Sequence, residues 1–174
     1  MYHPVTTEYQ DVGQHCKEVV DAVFQSGKKY IVVFPNNDLG SEVILNEYKR
    51  FEGNSRFRVF PSLRFEYFLS LLKHADFIMG NSSAGIRESG IYGVPAIDIG
   101  TRQSGRYDTK VSANIQHVNE KKEEILKAVG QAGMYRTSSF LFGDGNSTGK
   151  FVKIVEETAF WNIKIQKRFI DHTM

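Results

Sequence analysis

Apolar residues along the chain alternate between helical spacing and short extended runs. From Glu8 they recur every three or four positions until Gly27, which predicts an amphipathic helix over about residues 8–26. The β-branched run that begins at Tyr30 and closes before Pro35 predicts a short buried strand. The same reasoning predicts further helices at 41–50, 65–75, 83–92, 120–133 and 151–169, and further strands at 56–61, 75–80, 95–100 and 114–118. Asn119 is predicted to cap the helix at 120–133.

Strand and helix alternate over the whole chain, and this order is typical of an α/β fold. It predicts one Rossmann-like domain over residues 1–174, with a parallel sheet that carries helices on both faces. Ligands of such sheets bind at the carboxyl ends of the strands. The candidates for a binding site are therefore the residues that follow the predicted strands: Asn36, Asp38, Leu63, Arg64, Asn81, Ser82, Ser83, Thr101, Arg102 and Arg106.

Two serines follow one of these strands, in the segment FIMGNSSAGIRESG. Ser82 or Ser83 would begin a helix, where free N–H groups and the positive end of the helix dipole attract an anion such as phosphate. Arg102 or Arg106 can add a charge-assisted hydrogen bond. A carboxylate would repel a phosphate, so Glu88 is interpreted as an acceptor for sugar hydroxyls, with ribose as the candidate.

Each of these residues also has an ordinary structural interpretation. A serine at a helix start is commonly an N-cap, and arginines in a polar loop are usually solvated. Glu88 alone is typical of a surface position, and His3 alone is typical of a chain end. The sequence has no G-x-G-x-x-G or P-loop motif and no His/Cys cluster with metal spacing, so no metal and no cofactor are predicted.

Composition narrows the function classes. The 22 basic and 20 acidic residues leave a net charge of +2, which gives no reason to expect nucleic acid as a partner. Hydrophobic residues make up 41% of the chain, enough for a globular core, yet no apolar run approaches the roughly 18 residues of a membrane span. The N-terminus lacks a signal-peptide pattern and the single cysteine, Cys16, fits a reducing compartment, so a cytoplasmic protein is expected.

Several motifs occur in an order that resembles the UDP-N-acetylglucosamine 2-epimerase family. They are HPVTTE, FPNND, GNSSAGIRESGIYGVPAIDIGTRQSGR and FGDGN, and the resemblance spans residues 2 to about 149. HPVTT and GTRQSGR favour the hydrolysing branch, which serves the synthesis of sialic and related nonulosonic acids. The resemblance implies a two-domain fold of the glycosyltransferase-B type, and the chain is similar to its C-terminal half.

The resemblance also implies roles for individual residues. His3 matches a histidine near the UDP diphosphate that is thought to assist catalysis. The UDP-binding positions that it implies are Asn36, Leu63, Ser82, Ser83, Glu88 and Arg102. Among these, the serines and the arginine match phosphate contacts and the glutamate matches the ribose contact. Asn36 and Leu63 match contacts to uridine, the latter through its backbone.

The implied reaction eliminates UDP from UDP-N-acetylglucosamine or a close analogue and adds water to the resulting glycal, which yields N-acetylmannosamine or its analogue. In this family the groups that handle the C2 proton belong to the other half, so the chain alone is expected to be inactive. The terminal segment 151–174 is expected to form a helix that crosses to the missing half or to another chain, the second case giving a homo-oligomer. Two alternatives stay open: the nucleotide-sugar-binding half of a glycosyltransferase, and a non-catalytic nucleotide-binding module.

Overall fold

A computed structural model of the chain describes residues 1–108, 110–162, 164 and 166. The strands are β1 (Tyr30–Val33), β2 (Phe57–Phe60), β3 (Ile78–Gly80), β4 (Ala96–Ile99) and β5 (Ile115–Val118). The α-helices are α1 (Val12–Gln25), α2 (Ser41–Tyr48), α3 (Phe65–Lys73), α4 (Ala84–Arg87), α5 (Lys122–Gln131), α6 (Ser147–Glu156) and α7 (Thr158–Trp161). Within the described residues, none of the helices combines the length and the apolar character needed to cross a membrane.

The strand pairs in the described residues are parallel and form two separate hydrogen-bonded ladders. In the first ladder β1 pairs with β2, with Tyr30 opposite Phe57. In the second, β4 lies between β3 and β5, with Ala96 opposite both Ile78 and Ile115. Helix α2 connects β1 to β2 and helix α4 connects β3 to β4, as crossovers between parallel strands require. The predicted parallel, Rossmann-like α/β fold is confirmed.

The side chains of β4 explain why helices cover both faces of the sheet. All four residues of this strand are buried. Ile97 and Ile99 belong to the main core together with residues of α1 and α5, whereas Ala96 packs with Ile86 of α4 and with Ile115. Because successive side chains of a strand point to opposite faces, the two clusters lie on the two sides of the sheet.

Two helix starts differ from the prediction. The first helical segment begins as a 3₁₀ turn, Thr6–Asp11, before α1. Helix α5 begins at Lys122 with Lys121 as its N-cap, so Asn119 does not cap it. The reason is that Glu124 reaches back from the first turn and accepts hydrogen bonds from the backbone and side-chain amides of Asn119.

The chain divides into two compact units, one spanning Met1–Phe142 and the second beginning at Gly143. The second unit contains α6 and α7, which are separated where Glu157 adopts extended backbone. The final helix therefore begins at Ser147, earlier than predicted, and is interrupted. Much of the end of segment 151–174 lies outside the described residues, so the crossing of this segment to another half or another chain stays a prediction. The arrangement of residues 1–174 as a single domain also stays a prediction.

Candidate functional site

The site is organised around Asn81, the residue directly after β3. Its side chain is fully buried and pairs with the backbone of His3, whose N–H donates to Oδ1 at 2.7 Å and whose carbonyl accepts from Nδ2 at 2.8 Å. The Asn81 carbonyl accepts hydrogen bonds from the Arg102 guanidinium at 3.1 Å and the Gln103 amide at 2.7 Å. Asn81 therefore ties the N-terminal residues and the loop after β4 to the end of β3.

The imidazole of His3 is half-buried, and one contact fixes its tautomer. Nδ1 accepts a hydrogen bond from the backbone N–H of Asn36 at 3.0 Å, which places the ring proton on Nε2. Burial, followed by the positive charges of Arg102 and of the N-terminal ammonium, lowers the pKa of His3 to about 4. Near neutral pH, His3 is therefore an uncharged ring that can donate a hydrogen bond through Nε2.

We expect this lowered pKa to make the protein less stable in acid. The unfolded chain takes up a proton on His3 near pH 6.5, whereas the folded chain resists protonation until about pH 4. The free energy of unfolding should therefore fall by about 2–3 kcal/mol as the pH is lowered through this window. Urea unfolding at several pH values, compared with His3→Gln, measures the effect. If the free energy of unfolding falls equally with pH in both proteins, His3 is not the cause of the loss in acid.

Ser82 and Ser83 lie between Asn81 and α4. The Ser82 hydroxyl accepts a long hydrogen bond of 3.4 Å from the Ala84 N–H. The N–H groups of the two serines have no hydrogen-bond partner in the part of the chain that the structure describes. Helix α4 has only four residues, so the helix dipole contributes less than a full helix start would. An anion here would be held by individual N–H and hydroxyl groups.

Glu88 directly follows α4 and is half-buried. Its carboxylate oxygen Oε2 is buried and has no hydrogen-bond partner among the described residues. A buried acceptor without a donor is unfavourable, and the hydroxyl groups of a ligand would satisfy it. This environment is compatible with a contact to ribose, which stays a prediction.

Arg102 brings a cation to this group of residues through its hydrogen bond to the Asn81 carbonyl. Burial lowers its pKa and the neighbouring charge of Arg106 lowers it further, although a guanidinium stays protonated. Arg106 itself is exposed in the same loop. A partly desolvated cation that is repelled by its neighbour gains from binding an anion.

Asn36 joins this group, whereas Leu63 has a different environment. The Asn36 side-chain amide donates to the carboxylate of Asp38, and its Oδ1 is buried without a partner among the described residues. Leu63 follows β2 and lines an apolar cavity of about 550 Å³ between β1 and β3. The structure therefore brings His3, Asn36 and Arg102 together around Asn81, with the serines next to it in sequence.

Gln103 is a part of the site that sequence reasoning missed, whereas Asn81 was among the predicted candidates but its structural role was not. Both side chains are fully buried, and Oε1 of Gln103 has no partner in the described chain. A signal existed for Asn81, which is a polar residue directly after an apolar strand. Its partner could not be inferred, because His3 lies 78 positions away in the sequence.

A second polar group comprises Glu8, His15 and Glu120. One ligand atom from each lies within 4.8 Å of the others, a spacing at which such atoms could share a metal ion. The hydroxyls of Thr101 and Tyr2 already donate to the two carboxylates. Both carboxylates therefore already have protein donors. The absence of a metal site stays a prediction.

Comparisons with known sequences agree on one family. The sequence model described as UDP-N-acetylglucosamine 2-epimerase matches residues 1–156. A UDP-N-acetylglucosamine 2-epimerase of Neisseria meningitidis serogroup B is 46% identical over 98% of this chain and 46% of its own length. A UDP-N,N'-diacetylbacillosamine 2-epimerase (hydrolyzing) of Legionella pneumophila is 24% identical over 90% of this chain and 41% of its own. The chain spans less than half the length of these relatives.

A comparison with solved structures addresses the fold. The solved UDP-GlcNAc 2-epimerase of Methanocaldococcus jannaschii superposes with a TM-score of 0.69 at 21% identity, over 89% of this chain and 44% of that protein. The likeness confirms the predicted fold, the C-terminal half of a two-domain protein of the glycosyltransferase-B type. On the match to residues 1–156 and the 46% identical relative, the chain belongs to the UDP-N-acetylglucosamine 2-epimerase family.

Proposed function

We propose that this chain is the UDP-binding half of a hydrolysing UDP-N-acetylglucosamine 2-epimerase. The supporting observation is the set of hydrogen-bond donors around Asn81. It comprises the Arg102 guanidinium, the Nε2–H of His3 and the unpaired N–H groups of Ser82 and Ser83 within the described chain. Several donors and a desolvated cation suit a diphosphate. A Methanocaldococcus jannaschii relative of the same fold was solved in complex with UDP-GlcNAc and UDP.

The proposed reaction begins with loss of the C2 proton and departure of UDP, which leaves a 2-acetamidoglycal. Water then adds to the glycal, so one substrate and one water give UDP and N-acetylmannosamine. Negative charge develops on the β-phosphate as the bond to C1 breaks. Preorganised donors stabilise such charge, and removing one donor costs about 3 kcal/mol in comparable sites. We assign this role to Arg102, both serines and His3, whose neutral ring donates without leaving a buried charge.

The motifs HPVTT and GTRQSGR support the hydrolysing outcome. Relatives from Legionella pneumophila and Campylobacter jejuni are named as hydrolysing enzymes for diacetylbacillosamine derivatives. The 46% identical Neisseria relative is named for UDP-N-acetylglucosamine, so we propose that sugar as the substrate. A nucleotide-sugar substrate and a single buried cysteine both fit a cytoplasmic enzyme.

The isolated chain is expected to bind UDP weakly and to release none from UDP-N-acetylglucosamine. The reason is its span of 46% of the Neisseria relative, since we expect the groups that act at C2 to come from the remainder of such an enzyme. Calorimetry with UDP and a coupled assay for released UDP measure the two properties, with the full-length relative as the control. Turnover by the purified chain would contradict the proposal that the groups acting at C2 lie outside this chain. Failure to bind UDP at millimolar concentration would contradict the proposed function itself.

A further inference from the structure

Asp38 is a carboxylate at the candidate site to which the proposed reaction assigns no role. It lies in the loop between β1 and α2, two positions after Asn36, and it is exposed. The Asn36 side-chain amide donates to Oδ2 of Asp38, and the Asn36 backbone N–H donates to Nδ1 of His3 at 3.0 Å. Two hydrogen bonds through one residue therefore connect the Asp38 carboxylate to the His3 imidazole.

The charge of Asp38 acts on the groups that are proposed to hold a diphosphate. Burial is the main cause that lowers the pKa of His3 and of Arg102, and the negative charge of Asp38 opposes this lowering at both groups. Because His3 and Arg102 are the proposed donors to the β-phosphate, the carboxylate lies beside the place that this phosphate would occupy.

The local structure does not use the free side of this carboxylate. The turn before α2 is held by the Asp38 backbone carbonyl, which accepts a hydrogen bond from the Ser41 N–H at 3.0 Å, and any residue could supply that carbonyl. Over the described part of the chain, Asp38 forms no salt bridge, and its Oδ1 has no hydrogen-bond partner. One oxygen of an exposed carboxylate is therefore available to a ligand.

The chemistry of the ligand decides which of its groups can meet this oxygen. A phosphate is excluded as a direct partner, because like charges repel. A hydroxyl group is a neutral donor, and its hydrogen bond to an ionised acceptor is a strong one. In a nucleotide sugar the hexose is bonded directly to the β-phosphate, so its hydroxyl groups lie close to the side chains that hold that phosphate. They are the donors that fit the position of Asp38.

We propose that Asp38 accepts hydrogen bonds from the hexose hydroxyl groups of the nucleotide sugar and makes the site prefer a glycosylated diphosphate over free UDP. The inference rests on the proposed function, which places the diphosphate at Arg102 and His3. Free UDP carries more negative charge on its terminal phosphate than a glycosylated diphosphate does, so the carboxylate repels it more strongly. The same side chain thus favours binding of the substrate and departure of the UDP product.

The test compares two ligands by NMR titration of the full chain: UDP-N-acetylglucosamine and the β-methyl ester of UDP. Both carry the same charge, but only the first has hexose hydroxyl groups. In Asp38→Ala, we expect the affinity for UDP-N-acetylglucosamine to fall about tenfold relative to that for the methyl ester, because a hydrogen bond to a charged group is lost. Asp38→Asn keeps an acceptor oxygen without the charge and should show a smaller loss. The affinity for free UDP should rise in both variants, since the repulsion is removed.

Asp76→Asn is the matched control. Asp76 is an exposed carboxylate just before β3, at the end of that strand away from Asn81, so its loss should change the affinity for neither ligand. If Asp38→Ala changes the affinities for UDP-N-acetylglucosamine and the methyl ester by the same factor, the hexose role is wrong while the proposed function stands. If the unsubstituted chain binds neither ligand, the proposed function fails and this inference fails with it.

Discussion

Replacing Asn81 with alanine is expected to lower the free energy of unfolding by about 2–4 kcal/mol and to weaken UDP binding more than about tenfold. The substitution removes two hydrogen bonds at a fully buried position and leaves the N–H and C=O of His3 without partners. It also releases His3 from its place beside Arg102. Urea unfolding followed by circular dichroism measures the first effect, and calorimetry with UDP measures the second.

Asn46→Ala is the matched control for this change. Asn46 is an exposed asparagine of α2 that accepts one hydrogen bond from Lys49 at 3.1 Å, so its loss should change stability by no more than about 0.5 kcal/mol. In Asn81→Ala, an NMR titration should show the pKa of His3 rising from about 4 toward 6.5, because the ring loses its buried position. An unchanged His3 pKa together with full UDP affinity would show that Asn81 does not position the histidine.

The substitution Glu88→Ala should weaken the binding of UDP by roughly 10- to 100-fold, while the binding of pyrophosphate is kept or slightly improved. The loss follows if the buried Oε2 accepts a hydrogen bond from ribose, since hydrogen bonds to charged groups contribute about 1.5–3 kcal/mol. Pyrophosphate carries no ribose, and removing a nearby carboxylate reduces its repulsion. Calorimetry with the two ligands separates these effects.

Two further variants separate the charge of Glu88 from its role as a hydrogen-bond acceptor and provide a control. Glu88→Gln keeps an acceptor oxygen of the same reach but removes the charge, so it should retain more UDP affinity than Glu88→Ala. Glu123→Ala removes a carboxylate that is 77% exposed on α5 and should leave both ligands unaffected. If Glu88→Ala weakens UDP and pyrophosphate equally, the ribose role is wrong.

The strands could be predicted from the sequence because their signal is local. Each is a short apolar run bounded by glycine, proline or polar residues, and burial on both faces makes β4 apolar almost throughout. The pairing of the strands is different, because it depends on which edges meet in space. Nothing in the runs themselves predicts that β1 and β3 would stand on opposite sides of a cavity.

The candidate site also has residues that the local sequence pattern predicts and contacts that it does not. Ser82, Glu88 and Arg102 could be named because each stands at a strand end or beside a helix, a position that the local pattern sets. The contact between His3 and Asn81 could not be named, because it joins residues 78 apart through backbone groups that every amino acid carries. The predicted start of α5 was wrong for a related reason. The carboxylate of Glu124, in the first turn of the helix, accepts hydrogen bonds from both amides of Asn119, the predicted cap.

His3 reaches its place only when long stretches of chain are brought end to end, 33 positions to Asn36 and 78 positions to Asn81. Closing loops of that size costs conformational entropy, which the bonds at the fully buried Asn81 help to offset. Loss of the bonds to Asn36 and Asn81 would move the imidazole away from its place beside Arg102. Interactions that hold His3 in place are therefore expected to raise the affinity for the proposed nucleotide without contacting it.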